Sequence, residues 1–121
     1  WVNFHGPVPA VDLVSSWYPD SIAYITLSQH SEGRPQVLLE TMAAGMPVIA
    51  SNIPAHAETI VSGEHGYLVD SAIEFRCAIE QLSDPAVHRQ MSGNCRKTSR
   101  EQYGLWSDCR GRYLQLYGQL T

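Results

Sequence analysis

Apolar residues fall in short runs separated by turn formers, and the runs alternate between strand-like and helix-like spacing. Residues 1–5 form a β-like run that stops at Gly6-Pro7. A helical stretch follows Pro9, with Leu13 and Trp17 four apart and Val14 and Tyr18 likewise, until Pro19-Asp20 breaks it. Residues 22–27 are apolar at nearly every position, as a strand covered on both faces should be. A polar loop follows, then Pro35 at the first turn of a helix. Good helix formers run from Gln36 to Ala44, and Gly45 supplies the stop. Residues 47–50 read as a third buried strand, 55–61 as a short helix and 66–69 as a fourth strand. Ser71 with Glu74 fits a capping box opening a helix to about Leu82, and Asp84-Pro85 opens the next. The last helix carries Leu105, Cys109, Tyr113, Leu116 and Leu120 on one stripe, which requires a packing partner.

Strands alternating with helices predict an α/β domain, a Rossmann-like parallel sheet with helices on both faces. Ligands of such sheets bind at the carboxyl ends of the strands. Three loops therefore become candidates: residues 5–8, 28–34 and 51–54.

The chain has 121 residues, which suits one domain. Twelve Asp and Glu outnumber eight Lys and Arg, for a formal charge of -4, so the broad basic footprint of a nucleic-acid binder is missing. No apolar run approaches the ~20 residues that span a bilayer. No charged segment followed by an apolar one opens the sequence, so no signal peptide is expected. Cys77, Cys95 and Cys109 are odd in number and lack C-x-x-C spacing. They read as free thiols and small core fillers, with Cys109 and Cys77 on apolar helix faces, in a reducing, cytoplasmic setting.

Residues 28–40 carry the most chemistry. Glu32 precedes a helix start, and Glu40 lies roughly 8–9 Å further along the axis. Between them stand the N–H groups of the first turn, which with the helix dipole favour an anion such as a phosphate. Pro35 offers no N–H, so Gly33, Arg34, Gln36 and Val37 are the candidate donors. A ligand with hydroxyls at both ends and phosphates in the middle, a nucleotide sugar, fits this order of groups. The plainer reading also stands: Glu32 favours the dipole and Glu40 is a solvated helix charge.

Glu32 and Glu40 form E-x7-E, followed by Thr41-Met42-Ala43-Ala44-Gly45-Met46-Pro47-Val48-Ile49-Ala50-Ser51. This resembles the signature of retaining glycosyltransferases of family 4, the "glycosyl transferases group 1" type, with Thr41 where Ala is common. The resemblance runs along the chain. Residues 2–8 are similar to a "V-x-F-x-G-x-V" strand and loop, and Ser28 to a serine ending the next strand. Residues 53–58 resemble a "P-x-x-x-E" segment, and residues 63–69 a "G-x-x-G-x-L-V" turn and strand. Trp106 and the stripe to Tyr117 resemble the closing helix.

The resemblance implies the GT-B architecture, two Rossmann-like domains around a cleft, with this chain as an incomplete carboxy-terminal, donor-binding domain over residues 1–121. It implies that Glu32 contacts the transferred sugar and is the catalytic candidate. Glu40 would bind the ribose hydroxyls, backbone around Arg34, Pro35, Gln36 and Val37, with Gly33 beside it, would approach the diphosphate, and Gly6 and Val8 would flank the nucleobase. Ala10 matches a place where some guanine-using members carry an acidic residue, so the base stays open. The implied reaction transfers a sugar from a nucleotide-diphosphate donor with retention, without a metal or resident cofactor. The donor is the implied partner and the acceptor is unspecified. Upstream β-α units and the acceptor domain are expected outside this sequence, so the isolated chain is expected to be inactive. It is also expected to have an unpaired sheet edge open to a second copy. A non-catalytic, nucleotide-binding remnant on the same fold is the alternative.

Other residues divide between two roles. Ser28 either caps its strand end or touches ligand, and Arg34 either meets phosphate or faces solvent. His5 and His30 lie in strand-end loops without an assigned carboxylate partner. His56, His65 and His88 lack metal-ligand spacing. Glu58 is expected to support its own helix rather than a donor.

Overall fold

The computed structural model of the chain describes residues 2–30 and 33–119. In order it contains α1 (Ala10–Asp12), a π-helical turn (Leu13–Trp17), α2 (Tyr18–Asp20), β1 (Tyr24–Thr26), α3 (Gln36–Ala44), β2 (Val48–Ser51) and α4 (Pro54–Ala57). Then follow β3 (Gly66–Val69), α5 (Ala72–Leu82), α6 (Pro85–Thr98), a second π-helical turn (Ser99–Tyr103) and α7 (Trp106–Gly118). Among the described residues the strands form one parallel sheet in the order β1-β2-β3. Tyr24 pairs with Val48, and Val48 with Gly66.

The central strand β2 is buried at every position. Its alternating side chains serve two layers, as the pleat requires. Val48 and Ala50 join Leu38 and Met42 of α3, together with Ile60 and Cys95. Ile49 packs on the other face with Val69, Ala78 and Leu82 of α5, and Met91. Helix α6 straddles the two layers, giving Met91 to one and Cys95 to the other. The α/β class and the two-faced cover are therefore as the sequence predicts.

Local chemistry sets several boundaries where the sequence places them. Gly45 ends α3 at φ 79°, a left-handed conformation open to glycine. Ser71 Oγ accepts from Glu74 N at 3.2 Å, and Asp84 Oδ1 accepts from Ala86 N at 2.7 Å. Glu74 closes its half of the cap on Asp70 N rather than on Ser71 N. Gly66 has φ 146°, and a Cβ there would collide with the Val48 backbone, so only glycine lets β3 lie this close to β2.

Five expectations are corrected. Residues 2–5 are not a strand, and Phe4 is 95% exposed. A strand needs a neighbour for its N–H and C=O groups, and the sheet provides none there; the segment instead sets His5 edge-on to Trp17, ring centroids 4.7 Å apart. Second, β1 is three residues long and lies at a sheet edge, with Ile25 47% exposed, so it lacks the predicted cover on both faces. Third, the helix after Pro54 is the single turn of α4, because the chain must turn at Gly63 and enter β3. Fourth, the apolar stripe of the last helix is not packed: Leu105 is 73% exposed, and Tyr113 and Leu116 are exposed too, while Leu120 lies outside the described residues. Fifth, Cys77 is exposed and only Cys95 is a true core filler, with Cys109 half-buried.

The helical stretch ends at Pro19-Asp20, as the sequence predicts, but it widens just before the proline. Pro19 has no N–H for the Ser15 carbonyl, and its ring crowds that oxygen. The helix responds by widening: the Tyr18 N–H bonds back five residues to Leu13, and the helix continues to Asp20. No helix among the described residues is long and apolar enough to cross a membrane.

Candidate functional site

The site lies at the carboxyl ends of the three strands. Here Ser28 and Gln29 follow β1, Ser51 ends β2 with Asn52 after it, and Asp70 and Ser71 follow β3. One hydroxyl ties the first two ends together, and an imidazole braces it. Ser51 Oγ donates to the Ser28 carbonyl. His56 Nδ1 stands 2.8 Å from the Ser51 carbonyl and 3.2 Å from Ser51 Oγ. The carbonyl only accepts, so the network assigns the proton to Nδ1. Ser28 Oγ in turn accepts from His30 N at 3.3 Å. Ser51 and His56 are both buried, so this is a fixed platform under the loop that leads to α3.

α3 follows at the end of this loop. Pro35 is its N-cap, with extended backbone at ψ 119°, and the first return bond runs from Leu38 N to the Pro35 carbonyl at 3.1 Å. Helix geometry leaves the N–H groups of Gln36 and Val37 without an acceptor one turn back. Gly33 is exposed and open around its Cα, and Gln36 is exposed while Val37 is half-buried. Glu40 lies one turn further on and is exposed, with an oxygen 3.5 Å from the Tyr18 hydroxyl. Burial, and then the neighbouring Glu40 carboxylate, push the Tyr18 phenol above its ordinary value.

The other anticipated residues are more dispersed. Arg34 lies over the Tyr103 ring, 5.2 Å from its centroid, a cation–π contact that ties the loop before α3 to the second π-helical turn. Gly6 has φ 67° with open space around it, and Val8 is half-buried. Glu32 lies outside the described residues. Thus Gly33, Pro35, Gln36, Val37 and Glu40 lie along one helix start, and Ser28 opens the loop that leads to it. Gly6 and Val8 belong to the separate segment before α1.

Several residues of the site carry no sequence signal. Ser51 and His56 meet across a five-residue turn, and neither residue type announces such a pair. Asn52 Nδ2 donates to Asp70 Oδ2 at 2.9 Å, a contact made only because β2 and β3 are neighbours. Tyr18 reads as part of an apolar helix face and Tyr103 carries no signal, yet each meets a charged residue of the α3 region.

Comparison with known proteins identifies the family. The family model "Glycosyl transferases group 1" matches residues 1–101. An uncharacterized glycosyltransferase of Haemophilus influenzae is 34% identical over 108 residues, covering 86% of this chain and 29% of that protein. A D-inositol 3-phosphate glycosyltransferase of Paenarthrobacter aurescens is 31% identical over 118 residues, 96% of this chain and 28% of its own length. A lipopolysaccharide core biosynthesis mannosyltransferase of Rhizobium leguminosarum is 32% identical over 107 residues, 86% of this chain and 29% of its own length. The chain thus spans less than a third of these relatives. With a matching family model over most of its length and a parallel α/β sheet beneath it, the chain belongs to the glycosyl transferases group 1 family.

Proposed function

We propose that the chain is the donor-binding part of a glycosyltransferase of GT-B architecture that takes a nucleotide-diphosphate sugar and transfers the sugar with retention. The feature that carries this reading is the start of α3: the Gln36 and Val37 N–H groups have no acceptor one turn back, and the exposed Glu40 carboxylate follows one turn beyond. An anion at those N–H groups gains from the helix dipole and from donors that need no reorganisation. Charge that develops on a departing diphosphate is stabilised in the same way.

Each residue keeps one role. Gly33, Arg34, Pro35, Gln36 and Val37 surround the diphosphate, and Glu40 accepts from ribose hydroxyls. Ser28 holds the loop through its carbonyl and hydroxyl. Glu32 meets the transferred sugar, and Gly6 and Val8 flank the base. For Arg34 this requires release from Tyr103, a contact worth about 0.5–1 kcal/mol at an exposed site. Retention, Glu32's role and the absence of a metal rest on the family resemblance. Free Cys77, Cys95 and Cys109 support a reducing, cytoplasmic setting. The acceptor is held elsewhere in the longer protein.

Calorimetric titration of the chain with UDP-sugars and GDP-sugars tests the reading. Glu40→Ala should weaken a measured affinity by about tenfold, the loss of one or two hydrogen bonds to a charged acceptor. An unchanged affinity would refute the ribose role, and no binding of either nucleotide class would refute the donor site.

A further inference from the structure

The Tyr103 ring is fixed by its own segment and by the core. It ends the second π-helical turn, which continues α6 with unbroken helical backbone. Gly104 follows at φ 64°, and its N–H closes the turn on the Ser99 carbonyl at 3.1 Å. The half-buried ring packs against the layer that contains Leu38 and Met42 of α3, together with Val48 and Cys95. Over it lies the Arg34 guanidinium, 5.2 Å from the ring centroid.

Arg34 is the looser partner. It is exposed, it stands in the loop before α3, and no carboxylate among the described residues pairs with it. The ring also draws it to the far side of the helix from the exposed start. At about 100° per residue, Gln36 and Glu40 each stand about 160° round α3 from Leu38. Gln36 and Glu40 are exposed, whereas Leu38 and Met42 are buried. A cation held on Tyr103 is therefore held toward the core side of α3, away from the face that carries Gln36 and Glu40. A phosphate there competes for the same guanidinium, because bidentate, charge-assisted bonds to its oxygens outweigh the attraction of a ring face.

We propose that Tyr103 is a positioning residue that parks Arg34 and thereby sets how tightly the start of α3 holds a nucleoside diphosphate. Binding exchanges one contact for the other: the guanidinium leaves the ring and pairs with a phosphate oxygen. This rests on the donor reading above, and adds to it the residue that restrains the cation.

NMR titration of the 121-residue chain with UDP, GDP and inorganic pyrophosphate tests the exchange. In the free chain the ring current of Tyr103 should displace the Arg34 Cδ proton signals upfield, and saturation with a diphosphate should abolish that displacement. Tyr103→Leu should tighten diphosphate binding by about two- to fivefold, the equivalent of one exposed cation–π contact. Tyr103→Phe, which keeps the ring, should bind as the wild type does. In an Arg34→Met background, Tyr103→Leu should change nothing. Arg34 signals that stay displaced in the saturated wild-type complex overturn the proposal, and this readout needs no variant to fold. Equal affinity in the wild type and a folded Tyr103→Leu overturns it too, as does a gain that persists in Arg34→Met, which would belong to packing. Each of these outcomes leaves the donor site standing. Failure of all three ligands to bind the wild type overturns the donor site itself, and the restraint with it.

Discussion

Ser51 meets His56 through both its main chain and its side chain, with Nδ1 2.8 Å from the carbonyl and 3.2 Å from the hydroxyl. The serine hydroxyl is meanwhile given to the Ser28 carbonyl, so one imidazole and one hydroxyl join β2, α4 and the loop after β1. His56→Leu removes this donor from the Ser51 carbonyl, which keeps the Ile53 N–H at 2.9 Å, and should cost about 0.5–1.5 kcal/mol. His56→Asn, whose amide N–H can reach a similar position, should recover part of it. Urea denaturation midpoints of the three proteins make the comparison, and equal midpoints for wild type and His56→Leu would show that the bond contributes nothing.

Gly66 tests the backbone in the same way. Its φ of 146° and its approach to Val48 leave no room for a methyl group. Gly66→Ala should therefore destabilise the chain by about 2–5 kcal/mol, combining strain with overpacking. A Gly63→Ala control, with open space around it, carries only the conformational cost of its φ of 87°. If the two variants melt together, the close approach of β3 to β2 is wrong.

His65 makes stability depend on pH. Its Nδ1 accepts from Val61 N at 3.2 Å, and its Nε2 lies 2.9 Å from Thr98 Oγ1, so the neutral ring joins the turn before β3 to the end of α6. Burial lowers its pKa, against a smaller opposing pull from Glu64. The unfolded chain then holds this proton more readily than the folded one, near the ordinary value of about 6.5. Stability is fully present above that pH and falls as the pH drops toward the lowered folded value. His65→Gln should flatten the unfolding free energy between pH 7.5 and 5.5, and an unaltered slope would assign the loss to other groups.

The thiols should separate by reactivity. Burial pushes the Cys95 thiol up to about 12, so almost no thiolate exists at pH 8. Cys77 is exposed and Cys109 half-buried. A thiol reagent at pH 8 should modify Cys77 first, Cys109 next and Cys95 only after denaturant is added. Fast labelling of all three in the native chain would mean that the layer around Cys95 opens readily.

Among the described residues β1 is an edge of the sheet, which bears on association. Ile22, Ile25 and Leu27 are exposed at the β1 edge, and edge strands with apolar neighbours pair with other chains. Ile25→Lys should therefore raise the monomer fraction seen by light scattering. A wild-type chain already monomeric at high concentration would remove the premise.

What the sequence made legible follows from locality. The bounds of α3, β3, α5 and α6 rest on residues beside them: Pro35, Gly45, Gly66, Ser71 and Asp84. The start of α3 itself was legible for the same reason. The first strand and the last helix were not, because an apolar pattern states that a surface needs cover without stating where the cover comes from. Phe4 and Leu105 carry that pattern and stand open. The Ser51–His56 and Asn52–Asp70 contacts were hidden for a related reason: each depends on how elements come together rather than on any residue's own preference.

Helix α6 sends Met91 to one side of the sheet and Cys95 to the other. It thereby acts as a rivet through both leaves of the structure. Neither leaf can peel off while the rivet holds, and drawing it exposes both at once. Slow amide exchange in β2 should accordingly disappear in a single concerted event rather than leaf by leaf.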